Sequence, residues 1–241
     1  LRLGMTPNPH SFSKMILNEI DSIPTGWYGT LMNSENEEQA SPHSSKIKFL
    51  DATLRVVRRK GYHSTRIEDV CAEAGLTKGS FFHHFKTKEE LAIAAAEHWS
   101  NTTGLFFEQA PYREHADPLD RVLGYIDFRI AILRGELSDF TCYAGTTVQE
   151  IYGTNPLIRE ACYASISGHA AEVAEDIEEA RHLYAPNAPW SAESLALHTQ
   201  AVIQGAFILA KAKNDHSIAA DSILHLRRYV ELLFSKPRPK E

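Results

Sequence analysis

Between Thr65 and Glu90 the chain carries three helix-start signals so close together that only short helices joined by tight turns satisfy them all. Thr65 with Glu68 matches a capping box, in which the threonine oxygen and the glutamate each take an orphan amide of the first turn, so a helix is expected to begin at Arg66. Ile67, Val70, Cys71 and Ala74 recur at helical spacing, and Gly75 stands where a left-handed residue ends a helix. After Leu76, Thr77 offers a second N-cap. Phe81 and Phe85 share one face at i, i+4, which leaves Lys78, Ser80, Phe82, His83 and His84 on the others. Thr87 with Glu90 starts a further helix at Lys88. The result is a helix-turn-helix with a capped helix on either side. A helical hairpin in an ordinary all-α domain would share the spacing, so the spacing alone does not assign a role.

The flanking sequence continues the helical pattern. Ile47, Leu50, Leu54 and Val57 form one stripe from Ser45 to Lys60, closed by Gly61, with Arg58, Arg59 and Lys60 in the last turn, where positive charge suits the helix C-terminus. From Lys88 the periodicity runs through Leu91, Ala94, Ala95, His98, Thr102 and Leu105 to Glu108, before Pro111 ends it. Asp117-Pro118 pairs a cap with a proline at the first helical position and opens a helix to Leu133, stopped at Gly135. Thr141 to Tyr152 reads as one or two short helices. Asn155-Pro156 opens a long helix to Tyr184, Ser191 caps another to Asn214, and a last one spans Ile218 to Phe234. No repeat and no convincing strand interrupts this order.

A chain of 241 residues with 43% hydrophobic residues can build two domains. Its charge is divided unevenly. Lys46 to Glu90 holds ten Lys/Arg against six Asp/Glu, a surplus of four positive charges; with −6 for the whole chain, the remainder carries −10. A basic head on an acidic body suits a protein that meets phosphates with one end only. Three scattered cysteines, Cys71, Cys142 and Cys162, make neither a disulfide framework nor a zinc cluster and fit a reducing compartment. No apolar run approaches a membrane span and no signal sequence is visible, so the chain is expected in the cytoplasm. Residues 1–44, with Pro7, Pro9, Pro24, Pro42 and an acidic-polar run at Asn33 to Gln39, are expected to be a largely disordered extension. It carries one short helical pattern around Phe12 to Ile20, and Met5 is a candidate natural start. Residues 236–241 read as a tail.

Ordered blocks make the head specific. Phe49-Leu50-Asp51-Ala52, the Gly61-Tyr62 turn, Thr65-x-Ile67-x-x-Val70, Ala74-Gly75-Leu76-Thr77-Lys78-Gly79-Ser80 and Phe82-His83-His84-Phe85-Lys86-Thr87-Lys88-Glu89-Glu90-Leu91 together resemble the N-terminal domain of TetR/AcrR transcriptional regulators, from Ser45 to about Ser100. The resemblance implies an all-α protein. It would have a three-helix DNA-binding head with a helix-turn-helix over residues 45–92 and a helical ligand-binding and dimerisation domain over 93–235. It implies operator contacts from Thr65, Thr77, Lys78, Gly79, Ser80, Phe82, His83 and His84, with part of the Arg58-Arg59-Lys60 cluster near the DNA backbone. Lys88, at the positive end of the helix dipole, is expected on a phosphate. It also implies that the helix from Lys88 connects head to body as a lever, and that a small-molecule inducer binds among the body helices.

Aromatic and polar residues on the patterned body helices nominate the inducer site: Phe106, Tyr125, Phe128, Arg129, Tyr143, Gln149, Tyr163, His169 and Gln204. In the last two helices, small Ala201, Gly205, Ala206 and Ala210 keep one flank of the first narrow while Leu224, Tyr229, Leu233 and Phe234 supply bulk on the second; this suits packing within one chain or a four-helix interface between two, and the resemblance implies the homodimer. A two-fold dimer requires a palindromic operator with half-sites ~34 Å or more apart. No cofactor or metal is expected, because adjacent histidines such as His83 and His84 point about 100° apart on a helix and chelate poorly. An all-α enzyme lacks support from any glycine-rich phosphate loop or nucleophile-base motif. An adaptor with a decayed head is opposed by the retained lysines and caps.

Overall fold

In the computed structural model the described residues are 42–234, and among them the chain forms α-helices with no strand. The expected extension with its Phe12 to Ile20 pattern, and the C-terminal tail, lie outside the described residues. The head contains α1 (Pro42–Lys60), α2 (Ile67–Ala74) and α3 (Lys78–His84). Helix α4 (Lys88–Glu108) leads into the body, which continues through a 3₁₀ turn (Pro111–Glu114), α5 (Pro118–Ala131), α6 (Leu137–Phe140), α7 (Tyr143–Ile151), α8 (Pro156–Tyr184), α9 (Ala192–Lys213) and α10 (Ser217–Phe234).

The caps at Thr77, Thr87, Asp117, Asn155 and Ser191 stand where the sequence places them, each accepting from an amide two or three residues on. The first cap does not. Helix α2 starts one residue later than expected, with Arg66 as N-cap and its amide donating to Asp69 Oδ2 at 2.7 Å. The Thr65 hydroxyl instead donates backwards to the Gly61 carbonyl at 2.7 Å and closes the turn after α1. A threonine that can serve a turn carbonyl need not serve a helix amide, and here the turn wins. Gly75 ends α2 in the left-handed region at φ 66°.

The head core is a ring cluster. Phe49 of α1 meets Phe81 edge-on at 5.5 Å and Phe85 at 6.5 Å, and all three are buried. Burying Phe81 on the inner face of α3 turns Phe82 outward. Helix α4 packs on both α1 and α8, so one helix contacts the N-terminal helices and the rest of the bundle. Helices α8, α9 and α10 pack in succession, and α10 closes against α5. There Arg227 of α10, itself buried, donates to Asp127 of α5 at 2.7 Å.

Candidate nucleic-acid interface and effector site

Helix α3 offers its N-terminal and outer faces to solvent. Thr77, Lys78, Gly79 and His83 are exposed, Phe82 is 53% exposed, and Ser80 is half-buried. Thr77 Oγ1 accepts from the Ser80 amide at 3.2 Å, which fixes the first turn. Gly79 needs no explanation from within the molecule. Its φ is not in the left-handed region, and a Cβ there would meet only Thr77 Oγ1, at an ordinary 3.7 Å. Lys78 is ion-paired to Glu68 across the turn, and that bond holds the Glu68 carboxyl below its usual range. Both side chains are more than half exposed, so the pair exchanges readily for a phosphate contact.

Three expected contacts are placed differently. Thr65 is 3% exposed with its hydroxyl committed to Gly61, so it braces the turn and presents nothing outward. His84 is half-buried, its Nε2 2.7 Å from Ser45 Oγ, which ties α3 to the start of α1; burial, then neighbouring His83 and Lys46, push its imidazole pKa down. The Lys88 ammonium faces inward. It donates to the Tyr62 carbonyl at 2.6 Å and lies 4.1 Å from the centre of the Tyr62 ring, and partial burial lowers its pKa. This corrects the expectation of an outward phosphate contact. Geometry explains the difference: the Gly61–Thr65 turn brings the Tyr62 carbonyl, which also accepts from the Thr65 amide at 3.1 Å, within reach of the first residue of α4.

The basic cluster at the end of α1 is likewise engaged. Arg58 is 5% exposed, donates to Leu54 O at 3.1 Å and Asp139 O at 2.9 Å, and stacks 5.0 Å from Trp99. Arg59 bonds Glu73 at 3.0 Å and Lys60 pairs with Asp69 at 2.5 Å. These charges fasten α1 to α2 and to the body.

A joint that the sequence does not announce links head to body. Glu150 near the end of α7 accepts from the amides of Tyr62 at 3.1 Å and His63 at 2.7 Å, while its own carbonyl lies 3.1 Å from His63 Nε2. Gly61 makes this possible. Its φ is +86°, and a Cβ would sit 2.2 Å from Glu150 Oε1. The glycine was legible as a turn; its partner, far away in sequence, was not.

In the body, five of the nominated effector residues come together. Phe106 and Phe128 stack at 5.2 Å. Phe107 meets Phe128 at 5.7 Å, Tyr125 at 5.8 Å and the His169 ring at 4.6 Å, and the Arg129 guanidinium lies 5.1 Å from the Phe107 ring and 5.8 Å from that of Phe207. A hydrogen-bonded chain crosses the cluster: Gln200 Nε2 donates to Tyr125 OH at 2.9 Å, and Tyr125 OH lies 3.1 Å from His169 Nε2. His169 Nδ1 faces Glu172 at 3.4 Å. Tyr112, from the 3₁₀ turn, and Gln200 were not nominated. A single tyrosine in a short turn and a lone glutamine on an alanine-rich helix carry no periodic signal.

The other four nominees lie elsewhere. Tyr143 is fully buried and donates to the Ala92 carbonyl at 3.1 Å, pinning α7 to the head end of α4. Gln149 is exposed and donates to Gly145 of its own helix at 2.6 Å. Gln204 lies over that same glycine, where a Cβ would fall 2.1 Å from its Oε1. Tyr163 is 63% exposed on α8, so the expectation that it lines the aromatic site is corrected: helical spacing gave its period but not its phase.

The model of bacterial regulatory proteins of the tetR family matches residues 49–95, the stretch that holds the caps, α3 and the Tyr62 turn. That stretch is similar to the N-terminal domain of tetR-family regulators. Relatives include two uncharacterized regulators of Bacillus subtilis: YerO, 33% identical over 57 residues, and YxaF, 32% identical over 83 residues. These matches cover 24% and 34% of this chain, and only 20% and 43% of those proteins. A solved TetR regulator from Chloroflexus aurantiacus superposes with a TM-score of 0.68 at 23% identity, over 79% of this chain and 96% of its own, so the fold extends through the body. The family is one of regulatory DNA-binding proteins. Among the described residues no helix is long and apolar enough to cross a membrane.

The last two helices of the chain leave an apolar stripe open. Leu197, Ala201, Ile208 and half-exposed Gly205 mark α9, and Tyr229 and Leu232 mark α10, with the rings of His198 and Tyr229 joining the two at 5.3 Å. Gly205 again has no internal reason, since a Cβ would meet nothing within 4 Å. Ala206 and Ala210 face their own core, and Phe234 packs on Trp190 at 5.3 Å, so these three belong to packing within the subunit and not to the open stripe. Leu224 and Leu233 are half-buried.

Proposed function

We propose that this chain is a ligand-responsive, sequence-specific transcriptional regulator of the cytoplasm and not an enzyme: a repressor that binds a palindromic operator as a homodimer and leaves it when a small molecule enters the body. The observation that carries the reading is the outer face of α3. There an exposed aromatic, a glycine with no internal role and an exchangeable lysine surround a helix start whose amides favour phosphate. Lys78 and Ser80 are suited to phosphate or base edges, Phe82 to a thymine methyl or sugar, and Gly79 to close approach of the backbone.

Dimerisation is supported by the stripe on α9 and α10, whose small central residues allow a second copy to approach closely. Helix α4 supplies the link between the sites. One end lies at the Tyr62 joint and the other carries Phe106 and Phe107 into the aromatic cluster, so a ring displaced in the body rotates the head. The effector shifts the equilibrium only by its differential affinity for the two states. A gel-shift assay with DNA flanking the protein's own gene tests the proposal. Salt-sensitive, sequence-specific retardation by a dimer is expected; equal binding to every fragment, or none, would contradict it.

A further inference from the structure

Among the described residues the buried arginines find acceptors, except at one atom of Arg129. Arg58 is 5% exposed and donates to two carbonyls; Arg227 is 9% exposed and bonds Asp127 and Glu231. Arg129 is just as buried, at 9%, yet among the described residues its Nε has no hydrogen-bond partner. Its guanidinium is held between the rings of Phe107 and Phe207, which stabilise a cation but accept no directed hydrogen bond. Gln200, Tyr125, His169 and Glu172 bond to one another in a chain, and none of those bonds goes to Arg129.

A buried N–H without an acceptor is costly to the fold, and the Nε edge of a planar guanidinium is shaped for two parallel bonds to a carboxylate. The surroundings add the second half of a recognition site. Phe106, Phe128 and Tyr112 extend the apolar wall beyond Phe107, with ring centres 5.2 to 5.8 Å apart. Resting on the reading of this chain as a ligand-responsive regulator, we infer that its effector is a hydrophobic carboxylic acid whose carboxylate pairs with Arg129 and whose apolar body replaces ring contacts in the Phe106–Phe107–Phe128 cluster.

The geometry also assigns the consequence of binding. The rings are in contact, so an acid whose apolar body enters the cluster beside Arg129 displaces one of them. Phe107 is the ring shared by Arg129, His169 and Tyr125, and it sits on α4. Pairing with Arg129 therefore favours the state in which the body end of α4 has moved. That is the differential affinity a switch requires.

Thermal unfolding of the full chain with matched acid and amide pairs tests the inference: decanoate against decanamide, and 2-naphthoate against 2-naphthamide, each at equal concentration. A ligand that binds the native state raises Tm. The acids are expected to raise Tm and bind at least tenfold more tightly than their amides. Arg129→Met is expected to fold with an unchanged or higher Tm in the absence of probe and to lose the acid preference, and Arg129→Lys to regain part of it. Equal effects of acid and amide on the natural protein, an acid preference that survives in Arg129→Met, or no shift with any of the four probes would overturn the inference. A parallel gel shift separates the two layers. Sequence-specific DNA binding released equally by amides defeats the anionic effector and leaves the regulator standing; acid-specific stabilisation without any specific DNA binding does the reverse.

Discussion

Replacing Glu150 by alanine removes the acceptor that holds the Gly61–His63 turn to the body. The carboxylate takes two amide bonds, at 3.1 Å from Tyr62 and 2.7 Å from His63, the first partly buried and the second exposed. Charge-assisted bonds contribute about 1.5–3 kcal/mol each when buried and much less when solvated, so their joint loss amounts to about 2 kcal/mol. The loss is local. By hydrogen exchange, the Tyr62 and His63 amides are expected to open about 30-fold more often, since each 1.4 kcal/mol is tenfold, while amides inside α8 keep their protection. Glu150→Gln keeps one acceptor oxygen and is expected to lose about half as much. A loss below about 0.5 kcal/mol, or exchange that rises equally in the turn and in α8, would refute Glu150 as the joint between head and body.

Lys78 and Lys88 are predicted to separate cleanly. Lys78→Ala should reduce the salt dependence of operator binding by roughly 2 in log-log slope for a dimer, one phosphate per half-site, with little change in Tm. Lys88→Met should cost about 1–2 kcal/mol of stability, through the lost Tyr62 bond and ring contact, with an unchanged slope. His169 makes stability depend on pH. Burial, ahead of the favourable bond to Glu172 and the repulsion from Arg129 and Arg113, holds its pKa below the ordinary value of 6.5. Above about pH 6.5 both folded and unfolded chains keep this imidazole neutral; as pH falls below it, only the unfolded chain takes the proton, and stability declines. His169→Gln is therefore expected to flatten the fall in Tm between pH 7.5 and 5.5, and an unaltered fall would count against a buried neutral imidazole.

The head was legible because its information is local. A cap and its amides, a left-handed glycine and a pair of phenylalanines four apart are all read within a few residues, and Thr77, Gly75, Phe81 and Phe85 stand as read. The errors there arose where two local partners competed: Thr65 serves Gly61 instead of α2, and Lys88 serves Tyr62 instead of solvent. The body was legible only as helices. Which face of each turns inward depends on neighbours far along the chain, so Tyr163 and Phe128 looked alike in sequence and are placed oppositely, one exposed and one buried. The bonds of Glu150 and Gln200 and the unpaired Nε of Arg129 are pairings, or failures of pairing, across many residues; no window of sequence contains them.

The central claim is that the outer face of α3 is kept for DNA, and Gly79 tests it most directly. Nothing inside the protein needs a glycine there, since a Cβ would touch only Thr77 Oγ1 at 3.7 Å. Helix propensity predicts that Gly79→Ala leaves Tm unchanged or raises stability by up to about 1 kcal/mol, with Gly79→Leu close behind. Affinity for the operator-bearing fragment, measured by gel shift on the same preparations, should fall with side-chain size, by tenfold or more for leucine. Undiminished DNA affinity in a well-folded Gly79→Leu protein would contradict the assignment of α3 as the reading helix.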